Sequence, residues 1–211
     1  FLTKTYGWMT LSVLISGMVA YIVGGTLHIV FSGFPALIGF ILWFVLAFAT
    51  QSMAMRNAFA WFIMLLIFSA LTGGLFSYVF MAYSSTAIAE AFFTTTIDFA
   101  IMALIGITTK KSLDKIGTQA MAALIALFIV SIINIFLHNP LFDLFISFIA
   151  VIIFTAFTAY DSQKIKESFN EYGSEVSENG LAINGAMILY MDFINLFLNL
   201  LSIFGIGDNN R

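Results

Sequence analysis

Four carboxylates stand where carboxylates are costly. Glu90, Asp98, Asp161 and Asp192 lie in or at the edges of long apolar runs, and an ionisable group inside hydrocarbon marks an ion or proton path more often than a packing choice. At about 100° per residue, Asp192, Asn195, Asn199 and Ser202 fall within an arc of roughly 80° on one helix face. That single polar stripe lies on an otherwise greasy surface of Phe, Leu and Ile. A helix touching lipid on every side would not carry it, so the last helix is expected at the centre of a bundle. Asn195, Asn199 and Ser202 then either line a pore or staple helices together by hydrogen bonds.

Asp161 follows Thr155 and Thr158 near the end of the preceding apolar run. If that helix continues past Asp161, its carboxylate reaches the depth of Asp192. Two close carboxylates in a low dielectric cannot both ionise cheaply, so they share a proton and respond to pH. The alternative for Asp161 is an interfacial cap beside Lys164, which the i,i+3 spacing permits. Glu90, Thr94 and Asp98 form an i, i+4, i+8 row, a second acidic stripe able to line a cation path. Arg56 is the arginine near the helices, a topology signal or a counter-charge for Asp161.

No His, Asp and Glu grouping has the spacing of a high-affinity metal site, and His28 and His138 read as interfacial residues. Asp161 and Asp192 remain as weak calcium ligands, since calcium is a hard cation that takes oxygen donors. The acidic stretch from Gln163 to Gly180 holds Glu167, Glu171, Glu175 and Glu178 and reads as a solvated loop or short amphipathic helix rather than a calcium cluster. No cysteine is present, which excludes disulfides, thiolate metal sites and cysteine nucleophiles.

The elements that must position these groups follow from composition. Of 211 residues, 61% are hydrophobic and 9% charged, with 25 Phe against 8 Lys and Arg, and the mean hydropathy is +1.03. A soluble domain carries about a quarter charged residues. A soluble enzyme, a nucleic-acid binder and a disordered chain are excluded together, which leaves a polytopic membrane protein in a lipid bilayer. Each span needs roughly 20 mostly apolar residues. Seven runs qualify, near 7–31, 34–52, 57–80, 86–108, 116–137, 140–162 and 183–206. They do not alternate as barrel strands do. The expected fold is a single all-α domain over 1–211: a seven-transmembrane helical bundle with the C-terminal helix central and six around it.

Orientation follows the positive-inside rule. With a cytoplasmic amino terminus, Lys4, Arg56, Lys110, Lys111, Lys115, Lys164 and Lys166 all fall inside, and Arg211 alone falls outside. The first run is longer and more uniformly apolar than a signal-peptide core and is not followed by a small-residue cleavage site. The chain opens at Phe1 rather than Met, so native residues ahead of it are expected. Trp8, Trp43 and Trp61 lie toward span ends, as interfacial belts require.

Two stretches carry a resemblance. Thr158-Ala159-Tyr160-Asp161-Ser162-Gln163-Lys164-Ile165-Lys166 and Leu189-Tyr190-Met191-Asp192-Phe193-Ile194-Asn195-Leu196-Phe197-Leu198 resemble the Bax inhibitor-1 family of membrane proteins. Thr108-Thr109-Lys110-Lys111-Ser112-Leu113 is similar to that family's segment after its fourth helix. The resemblance implies a seventh helix ringed by six others and, in a bacterial member, the inner membrane. It also implies a proton-sensitive calcium leak, with Asp161 and Asp192 as the paired aspartates and Arg56 as a balancing charge. Asp98 lies outside that pattern.

Calcium and protons are thus the expected partners, calcium as transported ion, with no cofactor, no nucleic acid and no catalytic residues. A cation/proton exchanger would use the same acids. A membrane interaction protein without transport is the rival from another class. An intramembrane aspartyl protease copies the layout in outline, but Leu189-Tyr190-Met191-Asp192 lacks the Gly-x-Gly-Asp of those enzymes, and the two prolines are Pro35 and Pro140. A retinal protein is excluded because the seventh span holds no lysine. Oligomeric state is not legible in the sequence.

Overall fold

Long apolar segments in lipid must satisfy every backbone N–H and C=O internally, and helices do so within one segment. In a computed structural model describing residues 1–29, 31, 33–53, 58–137, 139–172 and 177–208, that is the outcome: helices and short connections, with no strand among the described residues. In chain order they are α1 (Leu2–Ala20), a π-helical continuation (Tyr21–Thr26), α2 (Gly33–Met53), α3 (Ala58–Leu75), α4 (Val79–Ala82), α5 (Ser85–Thr108), α6 (Asp114–Leu137), α7 (Pro140–Tyr172) and α8 (Glu178–Asp208). Six helical segments are long and apolar enough to cross a membrane, and α2 adds a shorter apolar stretch at Ile38–Ala47. The surface is inverted relative to a soluble protein: Phe136 and Leu141 are 80% and 75% exposed, while Thr5, Ser12, Ser69, Thr72, Thr95, Thr158 and Ser162 are buried. Apolar side chains outward and small hydroxyls inward is the distribution of an integral membrane bundle.

Two stretches differ from the sequence expectation. The segment after 162 is not a loop at first, because α7 continues to Tyr172 and α8 begins at Glu178. Charge ended the apolar run without ending the helix. Lys164 to Tyr172 contains no glycine or proline, and Lys and Glu are good helix formers. Trp61, expected in an interfacial belt, is buried. Arg56, His138 and Glu175 lie outside the described residues.

The helices group into two compact units. The first comprises Phe1–Ser84 and Glu167–Tyr190. Within it α1 crosses α3 closely at Gly73, where a side chain would overlap the Ser16 carbonyl and lie 2.9 Å from Val19 Cβ. Trp43 stacks on Phe68, with centroids 5.3 Å apart, and Phe68 meets Tyr190 edge-on at 6.0 Å. Lys4 of α1 reaches Glu178 at the start of α8, at 3.0 Å.

The second unit comprises Ser85–Lys166 and Met191–Arg211. Along α5 the buried residues Ala87, Ala91, Thr95, Phe99, Ala103 and Gly106 recur every three or four positions, one continuous helix face. Ala120 and Leu127 of α6 pack with Ala150, Ile153 and Phe157 of α7. Phe193 of α8 sits edge-on to both Phe92 and Phe99 of α5, at 5.9 and 5.6 Å. These contacts hold α5, α6, α7 and the second half of α8 around the residues considered next.

Candidate functional site

Asp161 lies inside α7 and Asp192 inside α8, both within the second unit. Their side chains are in hydrogen-bonding contact. Asp192 is buried, at 6% exposure, and Asp161 is partly buried. An ionised carboxylate only accepts hydrogen bonds, so a bond between two carboxyl groups needs a proton on one of them. Asp192 Oδ2 is buried and has no hydrogen-bond partner among the described residues. The arrangement can hold or release a proton, and it presents an unsatisfied oxygen beside the shared one.

The over-run of α7 makes this contact possible. Had the helix stopped at 162, Asp161 would sit in a fraying last turn. It is instead followed by about three further turns of helix. Two residues beyond it, Gln163 is 5% exposed and turns its carboxamide onto the α5–α6 turn. The Leu113 N–H donates to Gln163 Oε1 at 2.8 Å, and Gln163 Nε2 donates to the Lys111 carbonyl at 3.0 Å. Lys164 pairs with Asp114 at 2.6 Å, and Lys166 donates to the Ile107 carbonyl at 2.8 Å. Lys164 is therefore engaged by Asp114, the residue that opens α6.

The other expected residues fall into place one by one. The Thr155 hydroxyl of α7 donates to Asp98 Oδ2 of α5 at 2.8 Å, with Asp98 partly buried. Glu90 and Thr94, on the same row, are exposed. Asn195 donates to the Met191 carbonyl at 2.8 Å and Asn199 to the Asn195 carbonyl at 2.7 Å, each one turn back along α8. Ser202 is partly buried. The acidic row is thus split: Asp98 joins α7, while Glu90 and Thr94 face outward. Among the described residues no group of three or more His, Cys, Asp or Glu side chains could hold a metal ion.

Three polar clusters were not anticipated. Gln163 is one. A second lies in the first unit, where the Tyr190 hydroxyl meets the side chains of Ser16, Ser69 and Thr72. Trp43 Nε1 donates to Thr72 Oγ1 at 3.0 Å. The third joins the α6–α7 hairpin: Asn134 Nδ2 donates to Asp143 Oδ1, and buried Asn134 Oδ1 has no partner among the described residues. Gln163 and Tyr190 stand inside the two stretches that carry the family resemblance, which was the available signal.

Comparison with known proteins matches residues 1–209 to the family described as "Inhibitor of apoptosis-promoting Bax1". The chain is 34% identical over 212 residues to the inner membrane protein YbhL of Escherichia coli, covering 97% of this chain and 91% of that one. It is 32% identical over 214 residues to an uncharacterized protein of Rickettsia prowazekii, covering 97% and 89%. It is also 34% identical over 164 residues to an uncharacterized membrane protein of Streptococcus pyogenes, covering 78% and 71%. A match along nearly the whole chain, joined to long apolar helices and buried hydroxyls, leads to one conclusion: the chain belongs to the Bax inhibitor-1 family of membrane proteins.

Proposed function

We propose that this protein is a passive cation leak, with calcium as the transported ion, gated by protonation of the Asp161–Asp192 pair. The observation that carries this reading is the hydrogen-bonded carboxyl pair between α7 and α8, with the buried Asp192 Oδ2 left without a partner. While one proton is shared, the two helices are tied. Raising the pH removes that proton, so the tie belongs to the acid side of the pair's transition. Two full charges about 4 Å apart then repel by about 4 kcal/mol at an effective dielectric near 20, enough to repack two helices. The freed oxygens suit a hard cation as weak, exchangeable ligands.

In this reading α8 is the central helix. Its support is that α8 has the largest buried share of the six membrane-spanning segments, 44% against 17% for α6. Asn195, Asn199 and Ser202 continue the polar lane along α8, and Asp98 of α5, bonded to Thr155 of α7, adds a further carboxyl to the path. The amino terminus is cytoplasmic, following the lysine distribution, and the protein resides in the inner membrane of a bacterium. It acts without a cofactor and without enzymatic activity.

Calcium flux into proteoliposomes of purified protein, measured over about pH 5 to 8 beside Asp161→Asn and Asp192→Asn, tests the proposal. A flux that varies with pH in wild type and loses that dependence in either variant supports it. Flux above empty vesicles at no pH would overturn it in favour of a membrane interaction protein. Stoichiometric counter-movement of protons would identify an exchanger.

A further inference from the structure

Two of the stretches that resemble the family, Thr158 to Lys166 and Thr108 to Leu113, are far apart in sequence, yet the structure mates them. Gln163 is the side chain that joins them. Gln163 accepts from the Leu113 N–H and donates to the Lys111 carbonyl, so its carboxamide pairs with the backbone of the turn much as a neighbouring strand would. Both bonds are close to ideal length. A buried side chain that satisfies one backbone donor and one backbone acceptor at once fixes both rotation and height of the helix that carries it, because either movement breaks a bond.

The neighbours limit α7 further. Gly106 of α5 lies so close that a side chain there would overlap the Ala159 carbonyl. Lys164 and Lys166 hold Asp114 and the Ile107 carbonyl on either side. Asp161 stands two residues before Gln163, in the middle of this pinned stretch. The titratable groups these elements carry besides Asp161 and Asp192 are Glu90 and Asp98 on α5, Lys110 and Lys111 in the turn, Asp114 and Lys115 on α6, Asp143, Tyr160, Lys164, Lys166, Glu167, Glu171 and Tyr172 on α7, and Glu178, Tyr190 and Asp208 on α8. Asp98 is held by Thr155, and Asp114 is held by Lys164.

We infer that Gln163 is the positioning residue of the carboxyl pair, holding α7 against the α5–α6 turn so that Asp161 stays in register with Asp192. This rests on the reading of that pair as the proton-responsive element, and it adds what keeps the pair together. α7 is the fixed partner of the two, and a change in protonation moves α8 against it. A pair held in register titrates in two well-separated steps, because the first proton lost leaves the other shared between the two carboxyls, and the second step must remove that shared proton. A pair free to drift apart titrates as two ordinary carboxyls.

The test is an infrared titration of the carboxyl C=O band in liposomes, assigned by its loss in Asp192→Asn, for wild type and Gln163→Leu, with amide hydrogen exchange at Leu113 and calcium flux on the same samples. Two resolved steps in wild type should merge toward one in Gln163→Leu, with Leu113 exchange faster by about tenfold or more. Faster exchange with both steps unchanged would overturn the inference, since Gln163 would then hold the turn alone. Should Gln163→Leu not fold, Leu113→Pro removes the donor from the other side and must merge the steps likewise; unchanged steps there overturn the inference equally. Absence of flux in wild type with the two steps resolved refutes the leak but leaves the role of Gln163 standing.

Discussion

Replacing Tyr190 by Phe removes one oxygen from the buried cluster of the first unit, and the structure fixes what that should cost. Tyr190 is fully buried and meets Ser16, Ser69 and Thr72. After the change, none of the three remaining hydroxyl protons lacks an acceptor. Ser16 still reaches the Ser12 carbonyl at 2.9 Å and the Ser69 carbonyl at 2.8 Å. Ser69 reaches the Leu65 carbonyl and Thr72 the Phe68 carbonyl, both at 2.7 Å. The loss is then the net value of hydrogen bonds with no orphan left behind, about 1 kcal/mol, with roughly 1.7 as the largest value measured for such pairs between membrane helices. Tyr190→Ala adds the cavity of a ring packed against Phe68 and should cost about 3–5 kcal/mol. Unfolding in mixed micelles of mild detergent and dodecyl sulfate measures both, and a cycle with Ser16→Ala isolates the contact to α1. A cost for Tyr190→Phe as large as for Tyr190→Ala would refute the reasoning. So would additivity in the cycle, because the two hydroxyls would then not be coupled.

Two further outcomes follow from helix packing within the units. Gly106→Ala should destabilise by about 1–3 kcal/mol, since the obstacles are the Ala159 backbone and Ser162 Cβ at 2.9 Å; Gly17→Ala, with open space around it, should stabilise by up to about 1 kcal/mol in the same unfolding assay. Asp143→Ala removes the nearer of two acceptors of the buried Asn134 amide, leaving the Asn139 carbonyl at 3.4 Å, and should cost about 1 kcal/mol, whereas Asn134→Leu removes both amide ends and should be near neutral or stabilising; the opposite order of the two midpoints would refute this account.

The membrane-spanning helices were legible because hydropathy alone must supply about 20 apolar residues per span, and no other pattern does so. The end of α7 was not, because hydropathy reports where a chain leaves the apolar phase and not where its helix stops. The condition for bringing Asp161 to Asp192 was nonetheless readable, namely that the helix continue past Asp161, and it does. The acids stood out because a charge in an apolar run is costly and so needs a reason. Gln163 and Tyr190 carry no such flag: Gln163 lies in a polar stretch, and Tyr190 counts as one more aromatic among apolar neighbours. The Asn stripe on α8 reads as helix staples or pore lining, and what sequence does not tell is that both amides donate to carbonyls of their own helix. Periodicity shows which residues share a face, but not which acceptor each donor chooses.

Both units draw on α8, the first on its residues to Tyr190 and the second on those from Met191. This sets an order for the making of the protein. As the chain is inserted, α1 and α3 can pack before their hydroxyls have met Tyr190, and α5 to α7 can assemble around an Asp161 that still lacks its partner. α8, which leaves the ribosome after all of these, completes both clusters. A nascent chain halted before Glu178 would thus hold neither, and loss of that segment should leave two half-built cores exposed to membrane proteases rather than one intact unit and one broken one.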